Sequence, residues 1–287
     1  MKLFRHGAKG QEKPGMLDSQ GRRRDLSGIV CDIDPPLLAS GFAALKAVNA
    51  AGLPEVPAGA RLAEPVGAVG KFVCIGLNYR DHAAEAKMKI PVEPIIFMKA
   101  ISAIMGPNDD VVLPPTAQKA DWEVELGIII GREARYVPLE RALDHIAGVC
   151  VCNDLSERHF QIERGGQWDK GKGCDTFGPF GPYLVTPDEA GDLDGLHLWL
   201  DVNGRRMQNG STRDLIFNVP FLVHYVSQFM SLQPGDIIST GTPAGVGMGR
   251  EPPVFLKEGD EIHLGIDGLG EQRQKVRRYA TNSSRAM

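Results

Sequence analysis

The sequence is poor in cysteine and has no long apolar run and no block of basic residues. Its five cysteines never form a CxxC pair, so neither a disulfide framework nor a zinc knuckle is expected. No apolar segment approaches the roughly 20 residues of a membrane-spanning helix, and the N-terminal MKLFRHGAKG lacks the apolar core of a signal peptide. A net charge of −4 and a pI near 6.0 disfavour nucleic-acid and membrane partners. We expect a cytoplasmic protein with reduced cysteines.

The length and composition fit one large domain, or a large domain with a small one. The chain has 287 residues, of which 43% are hydrophobic and 24% charged, enough to bury a sizeable core. A stretch rich in proline and glycine, LPEVPAGARLAEPVGAVG, ends near Gly70. The sequence therefore predicts a small N-terminal α+β domain at 1–69, a catalytic domain at 70–280 and a flexible tail at 281–287.

Short strands dominate the region after Lys71. Segments such as KFVCIG, PIIFMKA and EVELGIIIG are bounded by turn residues, which is typical of strands. Three segments have helical spacing, PPLLASGFAALKAVNAAG, YRDHAAEAK and LIFNVPFLVHYVSQFMS. Many strands with few helices predict a mixed α+β fold, mostly β, arranged as a β-sandwich or roll rather than a doubly wound sheet.

A group of carboxylates interrupts the apolar strand pattern of DWEVELGIII. Glu123 and Glu125 are two residues apart and share one strand face, and Asp154 ends the apolar strand AGVCVC. Oxygen ligands without histidine or cysteine suit Mg²⁺ or Mn²⁺, with Ca²⁺ as a further candidate. The alternative is that the glutamates face solvent from an edge strand and Asp154 is a turn residue. Asp121 shares their face but is expected to end the preceding turn.

The segment NYRDHAAEAK offers a candidate base. His82 and Glu85 are three residues apart and meet on one face if the segment is helical. A carboxylate that binds one imidazole nitrogen leaves the other free to take a proton from water. The alternative is an ordinary pair on an exposed helix.

Two glycine-rich loops could contact a small ligand. The loop at 164–182 carries lysines near its centre, which could stabilise an oxyanion or a substrate carboxylate; alternatively, it is a solvated surface loop. The loop STGTPAGVGMG at 239–249 matches neither nucleotide-binding glycine motif. We expect its backbone amides and Thr242 to face a small anionic ligand.

These motifs occur together and in a definite order over about residues 70 to 270. The combination closely resembles the fumarylacetoacetate hydrolase family, whose bacterial members often carry a similar small N-terminal region. The segments that carry the resemblance are IGLNYRDHAAE, PIIFMKA, DWEVELGIIIG, CNDLSERHFQ, GKGCDTFGPFGP and GDIISTGTPAGVG.

The resemblance implies a β-sandwich roll around a divalent cation, and a homodimer. Some family members add a further metal aspartate from the early strand, but FVCIG is apolar here, so water should complete the metal shell. The implied roles are metal binding by Glu123, Glu125 and Asp154; water activation by His82 and Glu85; charge stabilisation by Lys172; and substrate binding by Arg158, Gln161, Thr176 and Thr242.

The resemblance also implies a reaction class. It predicts a metal-dependent hydrolase that cleaves a C–C bond of a small 2,4-dioxo, acylpyruvate-type sugar acid and releases pyruvate or a related 2-oxo acid. The version of the 164–182 loop is similar to that of 2,4-diketo-3-deoxy-L-fuconate hydrolases. The same site would serve a ureidoglycolate lyase, an oxaloacetate decarboxylase or a 5-carboxymethyl-2-hydroxymuconate isomerase, because fold and metal do not fix the reaction. A binding protein without activity is a further alternative.

Overall fold

The computed structural model describes residues 1–280, which form nineteen strands and five α-helices. The helices are α1 (Pro35–Ala39), α2 (Arg80–Glu85), α3 (Asp169–Lys172), α4 (Pro187–Ala190) and α5 (Val219–Val226). The strands are β1 (Lys2–His6), β2 (Lys13–Leu17), β3 (Arg23–Asp25), β4 (Leu62–Ala63), β5 (Phe72–Gly76), β6 (Ile95–Lys99), β7 (Ile104–Met105), β8 (Val111–Leu113), β9 (Ala120–Asp121), β10 (Val124–Ile130), β11 (Ile146–Asn153), β12 (Ser156–Glu157), β13 (Gly178–Pro179), β14 (Leu184–Val185), β15 (His197–Val202), β16 (Arg205–Ser211), β17 (Ile237–Ser239), β18 (Glu261–Ile266) and β19 (Gly270–Arg278).

The largest sheet has β10 and β11 near its centre. Its strand order is β3-β2-β1-β14-β11-β10-β17-β5-β6, with β4 beside β1. β10 and β11 pair antiparallel, with Glu125 opposite Cys152, and every residue of both strands is buried. Their near-continuous apolar sequences are explained by this burial, since strands covered on both faces need not alternate.

A second sheet covers one face of the first. It has the order β16-β15-β18-β19-β8, and β15 alternates half-buried with buried residues, as a strand with one solvated face should. Apolar side chains of both sheets, such as Leu126 and Leu200, form one core cluster. The prediction of a mostly β, mixed sandwich-type fold is confirmed.

Two of the predicted helices are shorter than their apolar spacing suggested. The first ends at Ala39, because Gly41 and Phe42 have left-handed backbone angles (φ 62° and φ 59°) that stop a helix. Two short 3₁₀ turns, Ala43–Leu45 and Ala50–Gly52, replace its second half. The segment 215–231 contains only the eight residues of α5 as helix, with Pro220 in its first turn.

The main sheet continues across the predicted domain boundary at Gly70. β1 pairs with β14, and Leu3 and Leu26 share an apolar cluster with Phe72 and Ile237. The division at Gly70 stays a prediction, and these contacts connect its two sides. The predicted tail at 281–287 lies outside the described residues. None of the helices within 1–280 has the length and apolar character needed to cross a membrane.

Candidate active site

The main sheet brings three predicted metal ligands together. Glu123 directly precedes β10, Glu125 is the second residue of β10, and Asp154 follows the end of its antiparallel neighbour β11. Each residue offers a carboxylate oxygen within 4.8 Å of the others, and all three side chains are buried. β10 lies between β11 and β17, so the alternative of an exposed edge strand is wrong.

Buried lysines neutralise much of this negative charge. Lys172 Nζ lies 2.6 Å from both Glu123 Oε2 and Asp154 Oδ2. Burial alone would lower the pKa of Lys172, but Asp154 and Glu123 outweigh burial and raise it. Lys99, in the quoted motif PIIFMKA but without a predicted role, places its Nζ 2.6 Å from Asp154 Oδ1. Lys172 is therefore a charged counterpart of the carboxylates, and Lys99 lies within ion-pair distance of Asp154.

Glu125 is the one of the three carboxylates that makes no ion pair with a lysine or arginine within the described residues. Ser239 Oγ and Gly241 N donate hydrogen bonds to its Oε2, at 2.5 and 2.9 Å. Burial and the neighbouring carboxylates of Asp154 and Glu123 raise the pKa of Glu125 well above its usual range. Its ionised form therefore needs further positive charge nearby.

The donor set fits a hard divalent cation. Asp154 Oδ1 is a buried acceptor that makes no aligned hydrogen bond within the described residues, although Lys99 Nζ is close. Both hydrogen bonds to Glu125 go to one oxygen, Oε2. Carboxylate oxygens without histidine or thiolate ligands suit Mg²⁺, Mn²⁺ or Ca²⁺. A divalent cation among these oxygens would supply the nearby positive charge that the ionised form of Glu125 needs.

Arg158 and Gln161, predicted to bind substrate, lie beside the carboxylates. Arg158 Nη2 donates to Glu123 Oε1 at 2.6 Å, and its Nη1 donates to Gln161 Oε1 at 3.1 Å. Arg158 Nε donates to Asp121 Oδ2 at 2.9 Å. Burial opposes the charge of Arg158, but Glu123 and Asp121 raise its pKa. Asp121 is fully buried in β9 and does not end a surface turn, so that expectation was wrong.

The predicted histidine and glutamate meet on α2. His82 Nδ1 lies 3.2 Å from Glu85 Oε2, and His82 is 9% exposed, which excludes an ordinary surface pair. Gly245 N donates to Glu85 Oε1 at 3.0 Å, so the carboxylate is fixed from both sides. If His82 Nδ1 donates to Glu85, its Nε2 is left as the proton acceptor.

The loop 239–249 binds the protein's own carboxylates. The amide of Gly241 donates to Glu125, and that of Gly245 donates to Glu85. Gly247 N donates to Asp121 Oδ1 at 2.6 Å, and Met248 N donates to its other oxygen at 3.0 Å. The expectation that these amides face an anionic ligand is therefore wrong, since side chains of the chain occupy them.

Thr242 and Thr176 have different positions. Thr242 lines the cavity described below, and its hydroxyl donates to Val124 O at 2.9 Å while accepting from Gln208 Nε2 at 2.8 Å. Thr176 Oγ1 accepts from Val112 N at 2.8 Å and does not line that cavity. The structure does not bring Thr176 to the site.

A cavity of about 120 Å³ opens onto Glu123 and Glu125, which is space for about four water molecules. Its polar lining consists of His82, Glu123, Glu125, Arg158, Gln161, Lys172 and Thr242. A larger cleft of about 430 Å³ lies elsewhere, near Met1. Its charged residues Lys46, Arg132, Asp144 and Asp188 are exposed, so it lacks the buried, convergent groups of an active site.

The chain is similar to known proteins over most of its length. Residues 71–277 match the family model described as fumarylacetoacetate (FAA) hydrolase C-terminal. A candidate hydrolase of Burkholderia orbicola is 58% identical over 279 residues, which cover 96% of this chain and 99% of that protein.

Several solved structures are also similar to this chain over nearly its whole length. Fumarylacetoacetate hydrolase from Exiguobacterium antarcticum has a TM-score of 0.88 at 35% identity, covering 97% of this chain and all of that one. Maleylpyruvate hydrolase from Sphingobium sp. SYK-6, solved with a manganese(II) ion and pyruvate, has a TM-score of 0.82 at 31% identity, with 98% and 100% coverage. A 5-carboxymethyl-2-hydroxymuconate delta-isomerase from Mycobacterium smegmatis is also similar, with a TM-score of 0.77, 31% identity and the same coverage.

Proposed function

The chain belongs to the fumarylacetoacetate hydrolase family, and from this premise we propose that it is a divalent-metal-dependent C–C bond hydrolase. Its substrate is a small 2,4-dioxo acid of the acylpyruvate type, and one product is pyruvate or a related 2-oxo acid. The observation that carries the proposal is a cluster of three buried carboxylates, two of which, Glu123 and Glu125, line one cavity together with His82. His82 in turn contacts Glu85.

Glu123, Glu125 and Asp154 would hold the cation, for which Mg²⁺ and Mn²⁺ are the first candidates and Ca²⁺ a further one. When bound, such an ion supplies a Lewis acid that polarises the keto oxygen of a 2-oxo acid. Arg158 and Gln161 lie where they can orient the substrate, and the charge of Lys172 offsets negative charge that develops there.

His82 acts as the general base in this proposal. Its Nε2 takes a proton from water, and Glu85 keeps Nδ1 protonated through the 3.2 Å contact. The hydroxide adds to the carbonyl at C4, and the C3–C4 bond then breaks. Its electron pair stays with the 2-oxo acid fragment as an enolate, which is protonated at C3, while the acyl fragment leaves as a carboxylic acid.

An isomerase is the second candidate, because a structure 31% identical to this chain is named a delta-isomerase. The same polarised keto group would promote proton transfer without bond cleavage. Lyase and decarboxylase activities on related 2-oxo acids stay alternatives for the same reason. A location in the cytoplasm and a homodimer are further proposals, the latter from family membership.

A substrate panel tests the reaction. The purified full-length protein is assayed with Mg²⁺ or Mn²⁺ on acetylpyruvate and other 2,4-dioxo acids, oxaloacetate and ureidoglycolate. Products are identified by chromatography, so that pyruvate, glyoxylate and an uncleaved isomer are each detected. We expect cleavage of 2,4-dioxo acids, and His82→Ala should lower kcat by about 10²-fold or more. Turnover of oxaloacetate alone would refute the hydrolase, and isomerised product without cleavage would favour the second candidate. Binding without any turnover would favour a non-catalytic protein.

The sugar-acid part of the sequence prediction stays a prediction, and the apolar side chains of the cavity argue against it. It rests on the 164–182 loop, and Trp168 of this loop lines the cavity together with several apolar side chains. These apolar side chains would contact the acyl end of the substrate.

A further inference from the structure

The cavity has two chemically different ends. The charged and hydrogen-bonding side chains surround the carboxylate site, whereas Ile75, Leu77, Phe97, Ile162 and Trp168 are among the apolar residues that complete the lining. Apart from the Trp168 ring nitrogen, these five side chains carry no hydrogen-bond donor or acceptor. A substrate held by its 2-oxo acid group at the charged end would place its acyl group against this apolar wall.

Trp168 and Phe97 form a braced aromatic pair within this wall. Their ring centroids lie 5.4 Å apart with planes at 66°, an edge-to-face arrangement. Asp169 Oδ1 accepts a hydrogen bond from Met98 N at 3.1 Å, which ties the start of α3 to β6. Because of this tie, the indole has a fixed neighbour and is not a freely moving loop side chain.

The sequence also provides the space that the indole occupies. A Cβ atom placed on Gly76 would lie 2.6 Å from Trp168 Cζ3 and 3.1 Å from its Cη2. Such a contact is too short for carbon atoms, so only glycine at this position lets the ring lie against the strand. Gly76 ends β5, and the next residue, Leu77, has a left-handed backbone angle (φ 54°), which is uncommon for leucine.

Trp168 is also linked to the charged end. The backbone oxygen of Trp168 accepts a hydrogen bond from Lys172 N at 3.1 Å, one turn later, and both side chains line the cavity. Lys172 Nζ lies 5.1 Å from the centre of the Phe97 ring. The apolar wall therefore begins directly beside the ammonium group that neutralises Glu123 and Asp154.

We propose that Trp168, seated on Gly76 and braced by Phe97, selects substrates whose acyl end is a short hydrocarbon group and rejects polyhydroxylated ones. This inference rests on the proposed function, because it places the 2-oxo acid group at the carboxylate site. A hydroxyl group against this wall would lose its hydrogen bonds to water, and among the five side chains only the Trp168 ring nitrogen could replace one of them. The small cavity limits the hydrocarbon group to a few carbon atoms.

Binding of 2-oxo acids tests the inference without requiring turnover. Calorimetry on the full-length protein with Mn²⁺ would compare pyruvate, 2-oxobutanoate, 2-oxopentanoate and 5-hydroxy-2-oxopentanoate. We expect each added methylene to lower Kd about fourfold, and the terminal hydroxyl to raise Kd about tenfold relative to 2-oxopentanoate. Equal or tighter binding of the hydroxylated acid, or no gain with chain length, would overturn the inference.

Variants test whether Trp168 causes the gain in affinity with chain length. Trp168→Ala should leave the Kd of pyruvate within about twofold of wild type while removing most of the chain-length gain, and Trp168→Phe should retain it. Gly76→Ala should displace the indole and weaken 2-oxopentanoate more than pyruvate. Trp199→Phe, at a tryptophan that does not line the cavity, is the matched control. An unchanged gain in Trp168→Ala would refute the role of Trp168.

The result separates the inference from the proposed function. Chain-length-dependent binding without cleavage of any 2,4-dioxo acid would refute the hydrolase and support the apolar wall. Cleavage with equal efficiency on hydroxylated and unhydroxylated acyl groups would refute the wall and support the hydrolase. If none of the 2-oxo acids binds, the placement of the 2-oxo acid group is wrong, and the inference is overturned with it.

Discussion

Glu123→Gln should abolish tight metal binding and leave the fold intact. The substitution removes one of three converging negative charges and keeps the size of the side chain. Two unit charges 4 Å apart interact by about 4 kcal/mol at an effective dielectric constant of 20. Losing that attraction corresponds to roughly 10³-fold weaker binding, and a divalent ion would feel the loss at least as strongly.

The fold should survive because each cation that contacts Glu123 keeps another partner. Lys172 Nζ remains 2.6 Å from Asp154 Oδ2, and Arg158 Nε remains 2.9 Å from Asp121 Oδ2. We therefore expect a stability loss of about 2 kcal/mol, typical of one lost charge-assisted hydrogen bond. Leaving a buried charge without any partner would cost about 3–5 kcal/mol.

Titration calorimetry with Mn²⁺ and urea unfolding in a chelator measure the two effects separately. Glu133→Gln, at an exposed carboxylate, is the matched control and should bind metal as wild type does. Equal metal affinity in wild type and Glu123→Gln would refute the three-carboxylate site. Loss of the folded state in the chelator would show instead that Glu123 is mainly a structural ion-pair partner.

Three further predictions concern groups around the site. Asp121→Asn should lower the free energy of unfolding by about 2 kcal/mol, measured with urea, because the buried Arg158 loses one of its two charged partners and keeps Glu123; an unchanged midpoint would contradict this. Burial raises the pKa of Cys174 to about 11, so at pH 8 only about one thiol in 10³ is ionised. Mass spectrometry should find the exposed Cys31 alkylated first and Cys174 reacting about tenfold faster per pH unit up to about 11, whereas fast labelling at pH 8 would contradict the burial. Gly245→Ala should destabilise the protein by about 3 kcal/mol, since φ is 108° and a Cβ would lie 2.0 Å from a backbone oxygen; an unchanged melting temperature would refute that packing.

The cluster of three carboxylates could be predicted because it follows strand periodicity. Glu123 and Glu125 are two apart in an otherwise apolar segment, and Asp154 ends the next apolar segment along the chain. Antiparallel pairing of β10 with β11 then brings the three together. The mostly β fold was predictable for the same reason, since the segments have the length and residue types of strands.

Contacts between distant loops could not be predicted in the same way. Nothing in the local sequence indicates that Asp121 would accept hydrogen bonds from Gly247 and Met248, which lie more than a hundred positions away. Lys99 is one lysine among many, and only its burial beside Asp154 gives it significance. Thr176 shares a loop with Lys172 but points to β8, because sequence proximity in a loop does not fix side-chain direction.

Glu85 and Glu125 are poor positions for engineering a new substrate range. Each carboxylate belongs to the proposed site and also accepts a hydrogen bond from a main-chain amide of the 239–249 segment, so changing either one would alter two properties at once. Among the described residues, the Trp168 indole makes no hydrogen bond to the 239–249 segment, and Gly76 has no side chain. An engineer who wants a new substrate range should begin there and leave the acidic residues as they are.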